Sequence, residues 1–207
     1  MTFPGYRFRP THLAVLSLSL ALGWFGGGCG HDDGEMPVYS TTEIAEIEQK
    51  AKAGDADAAH LRGVLEHQGL GLPPNALHAA EWYRRADQLG HPTAGTELGL
   101  LYLNGDGVPK DATEASHWFR RAANHGRADA QFYLARLYQQ GQGVARDEVQ
   151  ALTWYRLASQ GEPHVKEAPV EARELAQRLT PEQIAEADRQ AKAFQTRPVE
   201  PTASKPE

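Results

Sequence analysis

The sequence predicts an all-α fold, an α-solenoid of helix-turn-helix units closed by C-terminal capping helices, and three observations predict it. Glycines, aromatics and alanines recur with a period of 36 residues, each period carries two glycine-marked turns, and apolar residues between the turns fall at helical spacing. The first turn is marked by Gly69, Gly105 and Gly141 with Gly71, Gly107 and Gly143, the second by Gly54, Gly90 and Gly126. Between them recur Trp82, Trp118 and Trp154, each followed by Tyr83, Phe119 or Tyr155, with Ala79, Ala115 and Ala151 before and Ala86, Ala122 and Ala158 behind.

Each unit reads as two helices. Ala94, Leu98, Leu101 and Tyr102 make one face of a first helix, repeated by Ala130, Leu134, Leu137 and Tyr138. Ala115, Trp118, Phe119 and Ala122 make one face of a second helix, and small alanines beside large rings suit close packing with the tryptophans inside. The connecting stretch LNGDGVPKD, residues 103–111, begins like a phosphate or calcium loop but completes neither pattern. Lys110 stands where a third glycine belongs, and no alternating carboxylates follow Asp106. It is a bend: Gly105 ends a helix in the left-handed conformation, Gly107 permits the turn, Val108 folds onto the core, and Asp111 caps the next helix. Glu114 after Asp111 and Gln150 after Asp147 predict capping boxes, with Asn75 a weaker cap in the first unit.

The pattern running from Ala94 to Gly126 resembles the Sel1-like repeat, a relative of the tetratricopeptide repeat. Three copies cover about 55–90, 91–126 and 127–161, preceded from Thr42 by what looks like a lone second helix. The resemblance implies a right-handed α-solenoid over 42–194, a curved inner surface lined by the first helices, and binding of peptides or other domains there. Arg62 and Glu66 depart from the leucine and tyrosine of the other units, as an end unit facing water would. Trp154 to Gly161 is one residue shorter than Trp118 to Gly126, which predicts a change of packing. Two capping helices follow within 165–194, the second opened by Thr180 and carrying Ile184, Ala187, Ala191 and Phe194 on one face. Residues 195–207, rich in proline and charge, read as a disordered tail.

Ahead of the repeats, Arg7 and Arg9 precede thirteen apolar residues, LAVLSLSLALGWF, too short to span a bilayer comfortably. Three small glycines then lead to Cys29. This resembles a bacterial lipoprotein signal over 1–28, departing at Gly26 where leucine is preferred; ordinary cleavage near Gly23 and an uncleaved anchor are the alternatives. The resemblance implies lipid on Cys29, a tether over 29–41, and a periplasm-facing position. Gly30 is not the aspartate that signals inner-membrane retention in some bacteria, which favours the outer membrane. As the sole cysteine, Cys29 leaves no intrachain disulfide and no CxxC site.

The formal net charge is −6, and it becomes −8 once Arg7 and Arg9 leave with a leader that holds no acid. An acidic chain of this kind argues against a nucleic-acid partner. Nine histidines form no HExxH or ligand-spaced set, the serines form no GxSxG elbow, and the carboxylates are scattered, so no catalytic residue, metal or cofactor is implied. Hydrolase proposals in the family belong with cysteine-paired repeats, which this chain lacks. Positions on the first helices that differ between units are the expected partner readers: Leu100, Leu103 and Asn104, then Tyr133, Arg136, Gln139 and Gln140. Arg84, Arg120 and Arg156 recur at 36 and predict a basic stripe for a carboxylate-bearing partner. The function these features imply is a lipid-anchored, non-catalytic envelope scaffold for a protein or peptide partner. An accessory factor or hydrolase of cell-wall or polysaccharide metabolism, or a glycan-binding module, is the alternative.

Overall fold

The computed structural model describes residues 39–162 and 165–194. The leader, Cys29, the tether up to residue 38 and the tail 195–207 lie outside the described residues. Among the described residues the chain forms helices α1 Thr41–Lys52, α2 Ala56–Gln68, α3 Ala76–Gln88, α4 Ala94–Asn104, α5 Ala112–Asn124, α6 Ala128–Gln140, α7 Glu148–Ala158, α8 Ala168–Ala176 and α9 Pro181–Ala193. Each packs on its neighbour in sequence from α1 to α8, and α9 returns to α7. Three units, α2/α3, α4/α5 and α6/α7, thus stack into the expected α-solenoid. Residues 39–41, assigned to the tether, instead open α1: Ser40 accepts from the Glu43 amide and Glu43 returns a bond to the Ser40 amide.

Two glycine contacts make the period. In the first helix, Gly63 and Gly99 leave room for the ring that follows each tryptophan: an added Cβ would lie 2.7 Å from Tyr83 Cε1 and 2.5 Å from Phe119 Cε1. Tyr83, Phe119 and Tyr155 are accordingly the largest fully buried side chains. In the loop, Gly105 and Gly107 both have positive φ, 76° and 69°. Gly105 and Asp106 donate their amides to the Leu101 carbonyl, and Asp111 donates to the Tyr102 carbonyl, so the helix end is closed without a ligand. Gly107 is pressed against the preceding unit: a Cβ there would lie 2.3 Å from the Ala76 carbonyl carbon, at the start of α3. Gly143 meets Ala112 at 2.1 Å and Gly71 meets Tyr39 at 2.3 Å in the same way. The loop is therefore an inter-unit joint, and α1 stands where a preceding unit's second helix would.

Three expectations are corrected. Arg62 and Glu66 do not face water: they are 8% and 5% exposed, and Arg62 Nη1 lies 2.6 Å from Glu66 Oε1. The cause is α1, which covers α2, brings Glu48 to 3.5 Å from Arg62 and makes this unit an interior one. Asp111 and Asp147 cap by accepting two backbone amides each, without a return bond from Glu114 or Gln150; the capping boxes are at Ser40 and Thr180. Trp154 is buried, but Trp82 and Trp118 are half-buried, because the residue after each tryptophan fills the seat inside its unit.

The far end closes differently from the joints. Gly161 lacks the positive φ of Gly54, Gly90 and Gly126, and Glu162 runs beside Arg127 in a parallel bridge. Helix α9 covers α7 with Phe194 edge-to-face on Trp154 at 5.4 Å and with Gln190 bonded to Gln150 at 2.8 Å. Arg156 pairs with Asp188 of α9.

The joint makes a direct stability prediction. Gly54 has φ 99° with nothing within 4 Å, so Gly54→Ala bears only left-handed strain, about 1 kcal/mol. Gly107→Ala adds a backbone collision and should lose about 3 kcal/mol in urea unfolding. Equal losses would remove the joint from the account.

Candidate functional site

The first helices α2, α4 and α6 present one face each to a common surface, and polar bonds run between them in register. His60 Nε2 is 3.2 Å from Thr93 Oγ1 at the start of α4, and Thr96 Oγ1 donates to Asp129 Oδ1 of α6 at 3.4 Å; both pairs are 33 residues apart. At the other end of the row His67 Nε2 lies 2.9 Å from Asp106 of the next unit's loop. These bonds place Leu100 and Arg136 at equivalent positions of successive units, likewise Leu103 with Gln139 and Asn104 with Gln140.

The seven residues expected to read a partner do not serve alike. Asn104 and Gln140 are exposed at the helix ends, and Leu100, Leu103 and Arg136 are half-buried on the face. The Arg136 guanidinium lies 5.9 Å from the Phe132 ring centroid. Tyr133 stacks on Phe119 at 5.1 Å, and Gln139 Oε1 accepts from the Tyr155 hydroxyl at 2.8 Å, so these two also hold the fold.

The arginines of the expected stripe have internal acceptors. Arg84 donates to the Tyr102 hydroxyl at 3.2 Å and Arg120 to the Tyr138 hydroxyl at 2.9 Å. Each reaches from a second helix to the next unit's first helix, and Arg156 reaches Asp188 in the same sense. The period that suggested a stripe is the period of these ties. A partner's carboxylate would have to displace them.

Stacking of the units brings together titratable groups that are far apart in the sequence. His60 and His91 stack at 4.0 Å between centroids and 12° between planes, and both reach Thr93 Oγ1, at 3.2 and 3.1 Å. Burial holds His60 down to about 3 and His91 to about 4, with the Arg127 charge adding to the effect, so both are neutral near pH 7. Glu97, one residue beyond Thr96, is raised to about 7 by burial and by the charge of Asp129, against the pull of Arg127. Arg127 itself is spent on Asp129, through Nε at 3.3 Å and Nη2 at 2.9 Å. In the other units the place of Glu97 is held by Leu61 and Tyr133, a contrast that superposing the periods would have exposed. Among the described residues no group of three or more histidine, cysteine or acidic side chains is arranged to hold a metal.

A family model described as Sel1 repeat matches residues 56–91, 94–126 and 128–163. Among solved structures, the chain is similar to c5321, a protective antigen present in uropathogenic Escherichia coli strains and displaying an SLR fold. Identity is 32% and the TM-score 0.67, over 73% of this chain and 32% of that one. It is also similar to a Sel1 repeat protein from Oxalobacter formigenes, at 34% identity and a TM-score of 0.58, over 63% of this chain and 97% of that one. The chain thus spans about a third of the length of the c5321 chain. The comparison with curated proteins found no match.

The charge of Glu97 gives a signed pH prediction. Its carboxyl ionises near 4.5 when unfolded and near 7 when folded, so between these values the folded state binds more protons and stability falls as pH rises. Replacing it, Glu97→Gln, should raise unfolding free energy at pH 8 by about 3 kcal/mol and leave it nearly unchanged at pH 4. Urea unfolding at the two values tests this; an equal effect at both would mean that charge is not the cause.

Proposed function

The chain belongs to the Sel1 repeat family, whose members are generally protein–protein interaction scaffolds, and from that premise we propose that it is a lipid-anchored scaffold of a bacterial envelope. It takes a protein or peptide partner on the face of α2, α4 and α6 and performs no chemistry of its own. The observation that carries this reading is unlikeness at like positions. Residues that the fold needs recur, as Leu65, Leu101 and Leu137 do, whereas Leu100 and Arg136, or the exposed Asn104 and Gln140, differ on a surface where packing demands no single residue type. Chemistry that varies along a regular frame is what a solenoid uses to read an extended partner.

The envelope assignment rests on the first 29 residues, whose positive start, short apolar run and terminal cysteine support a lipoprotein leader and lipid on Cys29. Among the described residues no helix is long and apolar enough to cross a membrane, and in this reading the attachment is the lipid on Cys29. Gly30, standing where some bacteria carry an aspartate for inner-membrane retention, supports the outer membrane as the place of attachment.

Two measurements test the reading. Photo-crosslinking probes at Leu100 and Arg136 should capture one discrete protein in cells, with a probe at exposed Lys192 of α9 capturing none; equal capture from all three sites would remove the face assignment. Cys29→Ala should abolish acyl labelling and move the protein from the membrane fraction to the soluble one. Unchanged fractionation would end the lipid-anchor assignment.

A further inference from the structure

Glu97 is an acid at a place where its counterparts, Leu61 and Tyr133, are apolar or aromatic. Tyr133 lies on the ring of Phe119, fourteen residues earlier, and Glu97 is fourteen residues after Tyr83. The repeat therefore sets the Glu97 side chain toward the Tyr83 ring, and the charge of Glu97 in turn pushes the Tyr83 hydroxyl up, after burial. Among the described residues the Glu97 carboxyl makes no hydrogen bond or ion pair. Its neighbour Asp129 is by contrast fully engaged, by Arg127, by Thr96 and by the Ala130 amide. A half-buried carboxyl left without a partner costs stability that a leucine or tyrosine would not.

The groups around it leave a simple charge count. Asp129 and Arg127, from the start of α6, cancel; His60 and His91 are neutral; Tyr83 is neutral. Ionised Glu97 is then one uncompensated, half-buried negative charge on α4. Leu100, one turn further along α4, supplies apolar surface beside it, as the methylene stem of a lysine or arginine requires.

We propose that Glu97 is the counter-charge of a receptor for a single cationic side chain, lysine or arginine, of the bound partner, with Leu100 contacting its stem. The proposal rests on the partner-binding reading of this face and names the chemistry of one residue that the partner must carry. Binding exchanges a proton for the cation: the Glu97 carboxyl releases its proton to solvent as the ammonium or guanidinium takes its place. Because Glu97 titrates near 7 and neither His60 nor His91 titrates above pH 5, affinity should rise about tenfold from pH 6 to pH 8.

The test uses the full chain and three small probes, the N-acetyl methylamides of lysine, arginine and norleucine, followed through the side-chain carboxyl resonance of Glu97. The lysine or arginine probe should shift that resonance at pH 8, bind about tenfold more weakly at pH 6, and lower the apparent pKa of Glu97. Norleucine should do none of this, and Glu97→Gln should abolish the binding while the chain stays folded by circular dichroism. No response to either cation, or the same response to norleucine, overturns the site. The outcome is separable from that of the partner reading. A chain that captures a protein from Leu100 yet ignores both cations keeps the face and loses this site; one that binds a cation yet captures nothing keeps the site and loses the protein partner.

Discussion

The array depends on two close backbone approaches, one inside a unit and one between units, where the sequence places its recurring glycines. Within a unit, the first helix must come close enough to the second for Tyr83 or Phe119 to fill the gap at Gly63 or Gly99. Between units, the loop backbone must touch the start of the preceding second helix, where only a residue without a side chain and with positive φ fits. The first contact sets the angle inside a unit and the second sets the step to the next. The loop contact recurs every 36 residues at Gly71, Gly107 and Gly143, and the helix contact recurs from Gly63 to Gly99 before Ala135 takes that place in the third unit, so nearly the same angle and the same step are repeated and a solenoid results.

Polar contacts are laid over that steric frame, and their variation marks the ends of the array. Arg84 and Arg120 tie each second helix to a tyrosine of the next first helix, and Arg156 finds Asp188 because α9, not a fourth first helix, is what comes next. At the front, Glu66 occupies the position of those tyrosines and pairs with Arg62 under the cover of α1. Such a buried pair is weak evidence of stability, since removing both charges from water costs about as much as their attraction returns. Burial likewise pushes the Asp87 carboxyl up against the pull of Arg121 at 3.0 Å. What these pairs specify is register: Arg121 meets Asp87 only if α5 is stacked in one position on α3.

The fold was legible in the sequence because its determinants are small residues at fixed intervals, and a missing Cβ is visible as a letter. The left-handed helix end at Gly105 and the turn at Gly107 were legible, whereas the contact of Gly107 with Ala76 and the filling of the inner seat by Tyr83 and Phe119, in place of the tryptophans, were not. The candidate site was much less legible. Spacing located Leu100 and Arg136 on the first helices but gave Tyr133 and Gln139 the same standing, although their side chains are drawn back onto Phe119 and Tyr155. The arginine period was visible and its acceptors were not, because Tyr102 and Tyr138 belong to the neighbouring unit. His60 and His91 share no motif: one lies within a helix and the other in a turn of the next unit, and only the stacking of units brings their rings together. The burial of Arg62 and Glu66 is not legible in the repeat, because the cover that produces it comes from a helix ahead of the first full repeat.

The position of Glu97 in the array has its own logic. In a stack where each unit contacts only its neighbours, stability is a sum of unit and interface terms, and a unit flanked on both sides has an interface more than a terminal one. Glu97 lies in the middle unit, with α2/α3 on one side and α6/α7 on the other. A partnerless carboxyl there is held in place by two interfaces, so its cost is spread over the cooperative whole rather than opening a frayed end. The same acid in a terminal unit would favour local unfolding of that unit. A face that must keep one charged group poised for a partner is thus best served by placing it where the solenoid is most constrained.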